Sequence, residues 1–575
     1  MADKKTSMPD IRLEQQHLDV LINAGALELS IRTLDRSQKE NLYDAQWEAW
    51  ERLRFKLYRR QQNWETLKQR FAAYPKEVSP DFYRWAVEQV SIADLEQGHG
   101  AEARRYLREL LWQGGASKKK VAELRRLVIE SYLTDNRVND ANKALVQYQQ
   151  DFPGTSSDWQ VLQGRVLLRS GRYRDAFDVL SGQQRLDAKL YRLTAALRAG
   201  IYQPDVVIKS AERLGKVRFA EPLLVRKSWA LVAEAAWKSG NRPLRLSALE
   251  QALNIRLKST TRDPLFPVNA DTLWKAYFEY AETVGNDKRL LVGDDSSWLK
   301  QAEGLEKTRP VQARGLYAFL AIKGAVDIVR AIAHKRFTDS LYKEDLGNVA
   351  VALYTESEGI ARVQLAPDDA RYRLAIEILR KGDIKVAAEI MKSLTQPPAD
   401  ESVEEWKLRR ARTLVYAGQF PDAVVLLNEA LGSVTKLNKE FVQRFTQVLF
   451  DLQAVGEHAA AIELFESVYH KVQSTETQRE LLYWMAESYA ARGDNARAAA
   501  LYLQSAVHGQ PNGGDMWGQS ARYHAAESLA HAGLIEDARA VYGTLLRQTP
   551  DAKRRALIER NLQQLWLQKE KQQTQ

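Results

Sequence analysis

The sequence contains no cysteine. That absence excludes disulfides, thiolate zinc sites and cysteine nucleophiles together. Proline is sparse, at 16 in 575 residues, and glycine is modest at 30, so helices meet few interruptions. No apolar run approaches the roughly 18 residues needed to cross a bilayer. Nor does one charge dominate: 84 Lys and Arg stand against 74 Asp and Glu, a net charge of +10. Such a balance gives a mixed, solvated surface with a mild bias towards anionic partners. No serine nucleophile elbow, Walker loop, dinucleotide fingerprint, HExxH pair or nucleic-acid-binding module is present, so no cofactor is expected.

A long chain without thiols suits a compartment where oxidation is catalysed. Residues 1–10 lack the apolar core of a signal peptide. The expectation is a mature periplasmic form whose leader is encoded upstream; the alternative is a cytoplasmic protein.

What the chain does contain is aromatic mass, with 14 Trp and 23 Tyr, and an internal repeat. A small residue, often Gly, precedes an Ala, and a bulky residue follows four positions later. The copies are Gly98/Ala103/Leu107, Asn136/Ala141/Leu145, Gly171/Ala176/Leu180, Gly382/Ala387/Met391, Gly418/Ala423/Leu427, Gly456/Ala461/Phe465, Gly493/Ala498/Tyr502 and Gly533/Ala538/Tyr542. Successive alanines within each group lie 35 to 40 residues apart, as expected of a helix–turn–helix unit of about 34 residues with longer loops. Gly ends one helix in a left-handed conformation, and Ala starts the next where two helices touch closely. The residue four positions on lies one turn further along the same face.

This pattern resembles the tetratricopeptide repeat family. The resemblance is clearest over residues 519–550, with Ala526, Leu529, Ala538, Tyr542 and Pro550 at the family's positions. It is nearly as clear over 479–512, with Ala486, Tyr489, Gly493, Ala498, Tyr502 and Ala506. Residues 122–153 carry Tyr132, Ala141 and Pro153. The resemblance implies an all-α solenoid of helical hairpins in a right-handed superhelix, working as a non-enzymatic scaffold. The expected organisation is a helical region over 1–78, an array over 79–255, an irregular helical middle over 256–365, an array over 366–567 and a polar, frayed tail over 568–575. In the middle, Arg262 to Pro267 reads as a breaker, and Gly285-Asn286-Asp287 and Gly293 to Ser297 read as loops. Thr272–Val284 and Gly315–Lys335 read as helices.

In that family the first helix of each hairpin lines a concave groove that holds a partner protein. Carried over, the groove positions are Arg412, Tyr416, Tyr483, Glu487, Tyr523, Glu527 and His531, and, in the amino-terminal array, Arg126, Glu130, Arg165 and Arg169. Glu487-Ser488, Glu527-Ser528 and Glu130-Ser131 recur at one repeat position, which fits repetition better than catalysis. Of the eight His, only His524 and His531 share a helix. Two turns separate them, about 10.5 Å of rise and too far for one metal ion, so no metal is expected. Gly513-Gly514 reads as a loop between repeats. A basic cluster, Arg104, Arg105, Arg108, Lys118, Lys119 and Lys120, offers a surface for an anionic polymer or glycan. The expected function is thus a protein-binding scaffold of a bacterial envelope assembly; the alternatives are a glycan- or peptidoglycan-handling factor and an enzyme with its site in the irregular middle.

Overall fold

The computed structural model describes residues 11–38, 45–74, 77–152, 156–217, 220–257, 263–398, 401–434, 437–511 and 515–573. Arg262, Pro153, Gly513 and Gly514 lie outside them. Among the described residues every regular element is a helix. The chain divides into two compact units, Met1–Ala361 and Arg362–Gln575.

One turn builds both units. The residue five positions ahead of each repeat alanine has a positive φ: Gly98, Asn136, Gly171, Gly382, Gly418, Gly456, Gly493 and Gly533, between 59° and 89°. The N–H of the following residue then reaches back five positions to a carbonyl, as from His99 to Asp94 at 2.7 Å and from Leu534 to Leu529 at 2.9 Å. This bond satisfies a carbonyl that the ended helix would leave open. The next helix starts at once, and the alanine is its fourth residue in all eight copies, for example in Asn495–Val507 and Ile535–Gln548. All eight alanines have no exposed surface. A larger side chain there has no room. Ala498→Trp and Ala538→Trp should each destabilise the carboxy-terminal unit by about 1–3 kcal/mol or more. Unchanged thermal melting of both variants would show that this register is wrong.

In the amino-terminal unit the same turn recurs beyond Ala176, mostly without the alanine, although Asp345 is followed at the same offset by the buried Ala350. Gly200, Gly240, Arg289 and Asp345 have φ of 71°, 74°, 52° and 56°. Each is followed by the same five-residue back-bond, from Ile201, Asn241, Leu290 and Leu346. The helices Leu27–Ser37 to Trp64–Ala72 pack around Glu51, which is fully buried and accepts hydrogen bonds from Gln38, Arg70 and Tyr74.

The middle closes on itself. Helix Gly347–Thr355 returns to helix Arg242–Asn254, with the Asn348 side chain donating to the Asn254 carbonyl at 2.7 Å and that of Asn254 to the Asp345 carbonyl at 3.1 Å. Trp274 of helix Ala270–Lys288 donates to the Leu353 carbonyl at 3.0 Å. Inside this cluster Arg314 of helix Pro310–Lys323 holds Glu250 through two bonds of 2.6 and 2.9 Å, and the Tyr277 hydroxyl donates to Glu250 at 2.6 Å.

Three local expectations are corrected. Gly285, Asn286 and Asp287 are not a loop: helix Ala270–Lys288 runs through them. Gly285 is small because the Trp298 ring packs on it; a Cβ there would stand 2.5 Å from the indole. Gly315–Lys335 is not one helix, for the chain breaks between Pro310–Lys323 and Asp327–Lys343. At that break Asp295 accepts the Val326 N–H at 2.7 Å, and a Cβ on Gly324 would meet the Leu320 carbonyl at 2.6 Å. The carboxy-terminal helix Ala552–Gln573 extends through most of the segment read as a tail. Asp294 caps helix Asp295–Glu306, accepting from the Ser297 N–H.

Candidate functional site

In the carboxy-terminal unit two successive first helices, Thr475–Ala491 and Met516–His531, place equivalent residues 40 positions apart. Trp484, Glu487 and Ala491 sit at i, i+3 and i+7 of one; His524, Glu527 and His531 repeat that spacing on the other. Such a set lines one face of a helix. Both sets open on a recess of about 620 Å³, with Gln453, His458, Asn495 and Tyr502 on its other walls.

Charge in the recess is uneven. His524 Nδ1 and Glu527 Oε2 are 3.0 Å apart. This hydrogen bond raises the His524 pKa, against the effect of burial, with Glu487 adding to the rise. Burial would push Glu527 up, but bonds from His524 and Tyr523 hold it below the usual carboxylate value. Glu487 is exposed, and no bond to a cationic side chain occupies it. Burial, Glu487 and Tyr483 together keep the Tyr502 phenol protonated.

Of the expected groove residues, Glu487, Glu527 and His531 meet here. Tyr483 and Tyr523 do not line the recess. Tyr483 packs between hairpins, 4.9 Å from Trp517, 5.1 Å from Tyr502 and 5.9 Å from His524. Tyr523 lies 5.7 Å from Tyr542, and Asn561 donates to both hydroxyls. Their neighbours Trp484 and His524, one residue along, are the ones that face the recess. Arg412 and Tyr416 stand apart from it, joined to Asp451 at 2.7 and 2.9 Å.

In the amino-terminal unit the expected groove is partly filled by the chain itself. Arg165 bonds Glu130 at 2.5 Å, and Arg169 bonds the Asn136 side chain. Beside them lies the segment 263–268. Its Asp263 takes Lys227 at 2.6 Å, Leu265 offers its carbonyl to Arg198 at 2.8 Å, and Val268 offers its own to Arg226 at 3.0 Å. The Phe266 ring lies 6.0 Å from Tyr191, and Leu265 and Phe266 are buried. Burial opposes charge on Asp263, yet Lys227, the Leu265 N–H and Arg165 hold its pKa down. Arg126 is half-buried and takes no part in these contacts. The breaker between Arg262 and Pro267 thus also carries anchors, and its Asp-Pro-Leu-Phe composition is the signal of them in the sequence.

The basic cluster divides. Arg104 is buried and bonds the Ser131 carbonyl at 2.8 Å and Asp135. Lys120 bonds Glu88 at 2.7 Å and Glu123 at 3.3 Å, while Lys118 and Lys119 are exposed at the start of helix Lys118–Thr134. Arg105 and Arg108 are exposed on helix Gly100–Trp112.

Ser131, Ser488 and Ser528 are buried at helix contacts rather than presented beside their glutamates. Among the described residues no three His, Asp or Glu side chains are gathered as a metal ion requires. Among the same residues no helix is long and apolar enough to cross a membrane.

No protein-family model and no curated protein matches the chain. Similar solved structures include the crystal structure of yeast Tom70, at 11% identity and a TM-score of 0.23, covering 86% of this chain and 97% of that one. Another is the Cut9–Hcn1 hetero-tetramer of the APC/C, at 11% identity and a TM-score of 0.27, covering 96% of each. At those scores the likeness carries no argument about the chain. Its own turn, its buried alanine and its paired helices, recurring in both units, make it an all-α helical-repeat protein.

Proposed function

We propose that the chain is a non-enzymatic scaffold that holds a basic or amide-rich segment of a partner protein in the recess of its carboxy-terminal unit. The observation that carries this reading is the meeting of Glu487 and Glu527 at one recess, with Glu487 free of any bonded cation. Gln453 and Asn495 add hydrogen-bonding groups, and Trp484 adds an apolar wall. Pockets of this kind fix an extended ligand through a few polar groups on an apolar lining. The absence of cysteine supports a place in a bacterial periplasm, within an envelope assembly. Fractionation of the native protein with cytosol would remove that part of the reading.

The test is binding of a labelled Arg- and Gln-rich peptide to the full chain. Glu487→Lys with Glu527→Lys should weaken it at least about tenfold, which corresponds to roughly 1.4 kcal/mol. The helical melting curve should change little, since Glu487 is exposed and Glu527 half-buried. Protonated His524 cancels part of the carboxylate charge, and its pKa is raised above the ordinary 6.5. Binding should therefore strengthen as pH rises beyond 6.5 and His524 gives up its proton. Retained, pH-independent binding by the double variant would place the peptide elsewhere. A second reading, a glycan in the same recess, is favoured by Trp484 and Tyr502 beside two carboxylates; neutral oligosaccharide would then bind and the cationic peptide would not.

A further inference from the structure

A second recess, of about 720 Å³, lies in the amino-terminal unit on helix Gly100–Trp112 and the turn at Arg137. Three of its lining arginines, Arg104, Arg108 and Arg137, are held by Tyr132, which is not itself part of the lining. The Tyr132 ring sits under two guanidiniums, with Arg104 4.6 Å and Arg137 5.6 Å from its centroid. Its hydroxyl accepts from Arg108 at 3.0 Å. Arg104 is neutralised by Asp135, and Arg137 by Asp140 at 2.7 Å. Arg105 and Arg108 have no bonded carboxylate; Arg105 lies over the Tyr106 ring at 4.9 Å. At the rim Trp112 is 94% exposed, the most exposed large hydrophobic side chain among the described residues.

We infer that this recess is a docking site for an acidic protein segment carrying an apolar side chain beside its carboxylates. Guanidinium groups match carboxylates in paired hydrogen bonds, and two here, Arg105 and Arg108, bond no carboxylate. Trp, Tyr and Arg are also the side chains that most often dominate protein interfaces. An indole left in water next to them supplies the apolar contact that a purely ionic site would lack. The lining also argues against a uniform polyanion. Glu109 stands among the arginines, held by Gln113 at 3.2 Å, and would repel a phosphate repeated at every step of a nucleic acid or a charged polymer. A segment that alternates carboxylate with apolar residues avoids that repulsion. This site prefers the opposite charge to the carboxy-terminal recess, so it is independent of that reading and would give the scaffold two partners, or two segments, of unlike chemistry.

The probe is a fluorescein-labelled peptide rich in Asp and Glu around a central Phe, titrated with the full chain by fluorescence anisotropy. Arg105→Glu with Arg108→Glu, and separately Trp112→Ala, should each weaken binding at least about tenfold. All three side chains are exposed, so circular dichroism and melting should match the parent protein. Replacing the central Phe by Ser in the peptide should weaken binding to the parent and not to Trp112→Ala. The inference is overturned if the acidic peptide does not bind, or if it binds both variants as it binds the parent. It is also overturned if single-stranded RNA or phosphatidylserine vesicles bind through Arg105 and Arg108 more tightly than the peptide does.

Discussion

Glu250→Ala should destabilise the amino-terminal unit by about 3–5 kcal/mol, a loss visible as an early transition in thermal melting followed by circular dichroism. Glu250 and Arg314 are almost wholly buried, at 1% and 0% exposure. Two charges in such surroundings are tolerable only because each completes the other's hydrogen bonds. Removing the carboxylate leaves Arg314 with Ser340 at 3.2 Å and the more distant Glu344 at 3.4 Å. It also strips the Tyr277 hydroxyl of the acceptor it reaches at 2.6 Å. The double variant Glu250→Leu with Arg314→Met should recover most of the loss, because an apolar pair of similar volume avoids desolvating either charge. Parent-like melting of Glu250→Ala would show that the pair does not hold the helices together.

The second large effect depends on pH. His334 is 2% exposed, and its Nδ1 lies 2.7 Å from the Tyr354 hydroxyl. Burial lowers its pKa from 6.5 to about 4, Arg330 adds to the fall, and a bond to the Ala321 backbone opposes it. The unfolded chain takes up a proton near pH 6.5, whereas the folded chain refuses it until about pH 4. Stability is therefore lost as pH falls between those values and is level above and below them. The shift corresponds to about 3 kcal/mol. The difference in stability between the parent and His334→Gln, measured by urea denaturation, should close by that amount across the window. A constant difference would show that the ring titrates freely.

The repeats were legible because one physical need recurs with one residue type. A left-handed turn favours Gly, and a close helix contact at the fourth position of the next helix favours Ala. Both leave their mark at a fixed offset of five, as at Gly418 and Ala423. The middle was not legible because the same turn is made there by Arg289 and Asp345, so the Gly of the mark is missing even where the buried Ala350 keeps its Ala. The fourth helical position is filled there by the buried Trp298 in Asp295–Glu306, as it already is ahead of the middle by the buried Val207 in Pro204–Gly215. The return of Asn348 to Asn254 links residues 94 apart and leaves no local pattern at all. At the carboxy-terminal recess the repeat register found Glu487, Glu527 and His531. It chose Tyr483 and Tyr523 over Trp484 and His524 because chemistry alone does not separate adjacent aromatic residues on a helix; only the face does. His458 and Asn495 come from second helices, which a search confined to first helices passes over.

The closed middle also bears on how the molecule comes apart. Units that touch only their neighbours behave as a line, and a line unravels from its ends. Between Asn254 and Leu353 the amino-terminal unit is no longer a line: bonds spanning 79, 91 and 94 residues return the chain to where it started. A loop so fastened has no end from which to fray. Opening one helix of it means opening its partners too, so the region least regular in sequence is the one that must let go all at once.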